Sequence, residues 1–180
     1  MAKTTQYKVY DCEVIYPQLF EHNMDKGDDK SDAGRKVLST GGQTKLQMII
    51  TEEVKDQMIA DGIPAKSMGY EMFKQHTDAE GVADGRWLYV AKRPWMSPFK
   101  DEETGELKPF GEPNVVDYNA TKEAGEQVHW DPQVNIGNQS KGKAKLSIYK
   151  NGSKRIIRLE SFGVTEHVPY TSPSDGEVRF

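Results

Sequence analysis

Residues 143–164 leave this part of the chain little choice of fold. Side chains alternate along 143–149 and again along 155–164, and the Asn151-Gly152 pair between them is the strongest short hairpin-turn signal. In the first arm Ala144, Leu146 and Ile148 share one face, with Lys143, Lys145, Ser147 and Tyr149 opposite. In the second arm Ile157 and Leu159 join the apolar face, and Ile156, Arg158 and Glu160 take the other. The result is a hairpin that is apolar on one side and basic, with an aromatic, on the other.

Three more stretches carry the same period of two. Over 7–16, Tyr10, Cys12, Val14 and Tyr16 fall on one face of a strand that Pro17 stops. Over 45–50, Leu46, Met48 and Ile50 point inward. Over 85–92, Trp87, Tyr89 and Ala91 oppose Leu88 and Val90. After the second of these, Thr51 caps a helix whose first turn holds Glu52 and Glu53, with Val54, Met58 and Ile59 as its apolar stripe. Asp61-Gly62 and Pro64 close it. A shorter helix is expected over 65–74, with Gly69 inside it. Glycine, aspartate, lysine and serine make 25–42 a mobile loop, 92–99 is an aromatic, basic, proline-broken exit, and 121–127 is a polar connection. About five strands, one or two short helices and long loops imply a mainly β fold, a five-stranded Greek-key β-barrel of the OB-fold type. It would occupy 1–170, with a flexible tail over 171–180.

The chain has 180 residues, of which 36% are hydrophobic and 29% charged, enough for one domain with a proper core. No apolar run approaches the roughly 20 residues a membrane-spanning helix needs. The start lacks the apolar stretch of a secretory signal, and the lone Cys12 rules out an intramolecular disulfide, so a reducing cytoplasm is expected.

Charge is unevenly placed. Seven basic side chains fall between 141 and 158 with no acid among them, leaving 17 basic against 28 acidic on the rest of the chain. Such a basic strip on an acidic protein suits a localised polyanion site, or else a strand edge protected by solvated lysines. Catalytic chemistry finds no foothold. His22, His76, His129 and His167 stand far apart without metal-ligand spacing, and there is no phosphate cradle, nucleophile elbow or dinucleotide fingerprint. The Asp101-Glu102-Glu103 run reads as a solvated turn. No enzyme activity, metal or cofactor is expected.

Single-stranded nucleic acid is bound by pairing a basic groove with aromatic stacking platforms. Two segments offer that pairing: Trp87 and Tyr89 running into Lys92, Arg93 and Trp95, and the hairpin face with Lys143, Lys145, Tyr149, Arg155 and Arg158. In one sheet they would form one groove, with Phe20 a weaker stacking candidate. Trp87 and Tyr89 could instead be core residues.

The sequence also resembles the phage single-stranded DNA-binding proteins of the replicative, helix-destabilising type. The likeness runs through Tyr16-Pro17-Gln18-Leu19-Phe20, residues 44–50 followed directly by a helix, and Val115-Val116-Asp117. It continues through Ile136-Gly137-Asn138-Gln139-Ser140 leading into the lysine-rich strand, and ends in Arg158-Leu159-Glu160-Ser161-Phe162-Gly163-Val164. The resemblance implies an OB-fold that coats and protects single-stranded DNA in replication, recombination and repair, in the cytoplasm of an infected bacterium. It implies contacts with a phage polymerase, helicase/primase or nuclease through a tail with an aromatic tip. Phe180 matches that tip, while Asp175, Glu177 and Arg179 leave the tail barely acidic. Two alternatives stay open on residues alone: an RNA-binding OB module, and a scaffold protein that binds no nucleic acid. A homodimer is equally open, through the barrel edge or the loops.

Overall fold

The computed structural model describes residues 5–67, 69–100 and 102–169, without the side chains of 98–100 and 151. The expected tail, with Phe180, lies outside the described residues. The chain begins with β1 (Thr5–Gln18), a 3-10 turn (Glu21–Asn23), α1 (Asp32–Ser39), β2 (Gln43–Ile50) and α2 (Glu52–Ala60). Two short strands, β3 (Lys66–Ser67) and β4 (Tyr70–Glu71), precede β5 (Phe73–Thr77) and the long β6 (Ala83–Pro94). Then come β7 (Met96–Lys100), β8 (Leu107–Pro109), β9 (Asn114–Asp117), α3 (Tyr118–Ala124), β10 (Lys141–Asn151) and β11 (Lys154–Glu166).

The fold is mainly β, but not the five-stranded closed barrel the sequence suggests. Seven strands form one sheet in the order β5-β6-β2-β1-β10-β11-β9, while β3–β4 and β7–β8 pair separately. Every ladder is antiparallel except β11 with β9. The sheet curls until β6 and β11 lie close to each other without forming a ladder. Its concave side is the core. Tyr10, Cys12 and Val14 of β1, Leu46, Met48 and Ile50 of β2, and Ala144, Leu146 and Ile148 of β10 are all buried there, as their alternation requires. Thr51 caps α2 by accepting a hydrogen bond from the Val54 amide, and Met58 plugs the helix into the core.

β11 departs from simple alternation in a way that shapes the site. Lys145 pairs with Ser161 but Leu146 pairs with Leu159, so Glu160 is an extra, bulged residue. The bulge lets Leu159 and Phe162, three apart, both point inward, where each is fully buried. The turn of this hairpin centres on Gly152-Ser153, one residue later than Asn151-Gly152, with Gly152 at φ +65°.

Several expectations are corrected. Pro17 does not end β1: the register slips between Ile15 and Gln18, Tyr16 takes φ +46°, and its ring is exposed rather than inward. The loop over 25–42 contains α1, started by a hydrogen bond from the Gly34 amide to the Ser31 hydroxyl. The helix expected over 65–74 is replaced by β3, β4 and the start of β5, because Gly69 at φ +84° turns the chain back on itself. The proline-broken 92–99 segment still forms the end of β6 and most of β7, and 121–127 includes the last four residues of α3, capped by Asp117 and ended by Gly125 at φ +74°.

Gly142 faces the core directly under the Phe162 ring. A Cβ there would lie 2.3 Å from the Gly163 carbonyl oxygen and 2.4 Å from Phe162 Cζ. Gly142→Ala should therefore cost about 1–3 kcal/mol or more through overpacking. A thermal melt checks this, and an unchanged midpoint would contradict the packing of Phe162 on Gly142.

Candidate nucleic-acid interface

The convex face of β1 and β10 carries the hairpin lysines. Antiparallel register sets Val9 opposite Lys145 and Asp11 opposite Lys143. Lys143 Nζ donates to Asp11 Oδ1 at 2.6 Å, which raises the lysine pKa, and it lies 5.5 Å from the Tyr118 ring. Lys145 is different. Among the described residues no carboxylate meets it, and its ammonium sits 5.4 Å from the ring of Tyr7, itself 56% exposed. Tyr7 and Val9 together present apolar surface beside an unneutralised cation, the combination a stacked base and its phosphate would use.

A second group spans the gap between β6 and β11. Arg93 donates to the carbonyls of Phe110, Gly111 and Leu159 and to Glu160 Oε2 at 3.3 Å. Its side chain is only 12% exposed. Burial lowers the guanidinium pKa and Glu160 opposes the fall. Every one of these bonds is internal, so Arg93 is a structural tie and not a phosphate contact. Arg158 shares the same carboxylate, donating to Glu160 Oε1 at 2.7 Å, and lies 4.3 Å from the Phe110 ring. The Ser147 hydroxyl donates to that oxygen too, at 2.7 Å.

The remaining candidates fall elsewhere. Tyr89 is 3% exposed and packs against Phe73 with ring centroids 5.1 Å apart, so it belongs to the core and leaves the stacking set. Phe20 is likewise buried. Trp87 is half-buried against the core and Lys55 Nζ covers its ring at 3.6 Å. Arg155 donates to the Gly62 carbonyl just after α2, and Tyr149 is half-buried nearby on the same hairpin. Trp95 sits at the far end of β6, its backbone tied to Gly42 and Phe110. Eight residues separate the two tryptophans along the strand, about 26 Å at strand rise. The single groove expected from the sequence is thus divided: Trp87 lies at the α2 end, and Trp95 with Lys92 at the other.

Sequence reasoning missed Tyr7, Phe110, Tyr118 and Lys45. The first could have been found from its parity, since Tyr7 falls on the face opposite to Tyr10, Cys12 and Val14. The others come close only through long-range register. Among the described residues no three His, Cys, Asp or Glu side chains gather to hold a metal ion, and no helix is long and apolar enough to cross a membrane.

The fold has a relative. It is similar to the crystal structure of gp2.5, a single-stranded DNA binding protein encoded by bacteriophage T7, with a TM-score of 0.52, 20% sequence identity and 100% of each chain covered. No protein-family model matches the sequence, and no curated protein matches it significantly. At this identity the likeness to gp2.5 is one of fold.

Glu160 is the charge on which the seam turns. Burial works to raise its pKa, but the Ser147 hydroxyl and the two guanidiniums outweigh it, and the carboxyl ends below its ordinary value. A depressed carboxyl contributes stability that is fully present above the unfolded pKa, about 4.3, and is lost as pH falls through the lower folded value. Glu160→Gln should therefore be less stable than wild type at pH 7, with the gap closing as pH drops below about 4.3. Urea unfolding of both proteins between pH 3 and 7 checks this. A gap that stays constant with pH would show that Glu160 carries no such linkage.

Proposed function

We propose that this chain is a sequence-independent single-stranded DNA-binding protein, non-catalytic, that coats exposed strands in phage DNA replication, recombination and repair within the infected bacterium. The observation that carries this reading is the end-to-end likeness of fold to gp2.5, a single-stranded DNA binding protein. The strand order β6-β2-β1-β10-β11 supports reading these five as an OB-type barrel, with Arg93 in place of a closing ladder. Lys145, which meets no carboxylate among the described residues and lies beside the exposed Tyr7 ring, supplies the chemistry that a strand of phosphates and bases requires. The lack of a nucleophile elbow, phosphate cradle or metal-ligand spacing in the sequence supports a binding rather than a catalytic role. Replication proteins such as a polymerase or helicase would be its protein partners, docking at Phe180.

Oligo-dT titration tests the reading, with duplex and oligo-U controls at several salt concentrations. Binding to dT with a negative slope of log K on log salt is expected, about −0.7 for each phosphate neutralised. Lys145→Gln should flatten the slope by about that amount. Tyr7→Ala should weaken binding by about 1–3 kcal/mol, roughly 5- to 150-fold in Kd. Tryptophan quenching should come mainly from Trp95 and be largely lost in Trp95→Phe. Absence of binding to dT would overturn the reading, and equal affinity for oligo-U would redirect it to an RNA-binding module.

A further inference from the structure

The convex face of β2 and β6 holds a group of charges that the hairpin-centred reading leaves aside. Lys45 and Lys92 are direct cross-strand partners on that face. Like charges placed opposite each other in a sheet are destabilising, so the pair needs an anion. One is built in. Asp25 pairs its backbone with Gln43 in both directions, at 3.0 and 2.7 Å, which fixes where its side chain points. Its carboxylate then accepts from the Gly27 amide at 2.9 Å, the Gln43 side-chain amide at 3.2 Å and Lys45 Nζ at 2.8 Å.

One carboxylate does not settle the account of charge. Lys36, in the last turn of α1, also faces this group closely enough to act on Lys92. Lys45 and Lys92 thus stand opposite each other with one carboxylate, held by Lys45, for two ammonium groups' worth of charge, and Lys92 has neither a hydrogen bond nor an ion pair among the described residues. Desolvation, followed by the repulsion of Lys45 and Lys36, lowers the pKa of Lys92, with Asp25 opposing. Packing does not explain why Lys36 is brought here, because α1 buries none of its residues. Backbone bonds do the bringing: the Gly42 amide donates to Val37, and Trp95 and Met96 donate to Gly42 and Thr40. The same bonds set the Trp95 ring beside Gly41, whose would-be Cβ lies 3.4 Å from Trp95 Cδ1. The Trp95 ring thus lies against the connection between α1 and β2.

We propose that Lys36, Lys45 and Lys92 form a phosphate-binding subsite in which Asp25 acts as a built-in competitor, holding Lys45 until a phosphate of the bound strand displaces it. The proposal rests on the single-stranded DNA reading and locates one contact of that strand. A carboxylate and a phosphate oxygen are both anionic acceptors for an ammonium, so the exchange swaps one charge-assisted hydrogen bond for another. Asp25 is here a positioning residue, and it acts by setting how much of Lys45 is available.

Two variants test it with labelled oligo-dT, titrated across a salt series, and with thermal melts of the DNA-free proteins. Lys92→Gln should bind roughly 10- to 150-fold more weakly, as the loss of one charged contact implies, with a salt slope flatter by about 0.7. Its melting temperature should be equal to or above that of wild type, because a like-charge pair is relieved. A residue kept for stability would lower it. Asp25→Asn should bind more tightly, with a steeper slope. If wild type binds dT while both variants keep its affinity and slope, the subsite is wrong and the DNA reading stands. If wild type does not bind dT, the DNA reading fails and the subsite falls with it.

Discussion

The main sheet curls until β6 and β11 lie side by side without pairing, and one guanidinium spans the space between them. Arg93 projects from β6, reaches the Leu159 carbonyl on β11, and fastens the segment after β8 through the Phe110 and Gly111 carbonyls. Strand edges brought together without a ladder leave backbone acceptors that water can no longer reach, and each needs a donor. A fork of five N–H groups in fixed geometry is suited to this, where a lysine would offer only a compact point charge. Burying that cation carries a desolvation cost, which the Glu160 carboxylate offsets at 3.3 Å. Glu160 is available because β11 bulges there, so the irregularity in one strand and the tie between β6 and β11 are one feature. Phe110 completes it with a ring facing both Arg93 and Arg158.

The strands β1, β2, β6, β10 and β11 were legible because they follow from period two alone. The hairpin of β10 and β11, the inward sides of β1 and β2, and the capped α2 needed no knowledge of distant contacts. What was illegible divides in two. Some signals were present but weak: Ser31 before α1 and Asp117 before α3 are ordinary caps, overshadowed by polar surroundings. The three-residue step from Leu159 to Phe162 announced a bulge to a reader asking why both should be apolar.

The site shows the other kind of loss. Parity along β6 puts Trp87, Tyr89, Ala91 and Arg93 on one face and Lys92 on the other, so these could not all meet the same strand of DNA. With Tyr89 and Ala91 at 3% and 1% exposure, that face is the core. Which cation retains a vacant valence is not a local property at all. Lys143 meets an aspartate 132 positions away, whereas Lys145, two residues on, meets a tyrosine ring. Only register across strands distinguishes them.

A net charge of −4 and an affinity for polyanions are compatible under this arrangement, because the lysines are held in different states. Lys143 is held by Asp11, Lys45 by Asp25 and Lys141 by Glu166, all on partly exposed surfaces where such pairs contribute little to stability. Weak pairs of this kind are easily exchanged. A phosphate that takes over such a lysine releases a carboxylate rather than a counterion, and so adds less to the salt dependence than a lysine that was unpaired. The number of basic residues on the surface therefore exceeds the number of counterions a bound strand would release. The ion-pair pattern, more than the charge total, sets how strongly binding responds to salt.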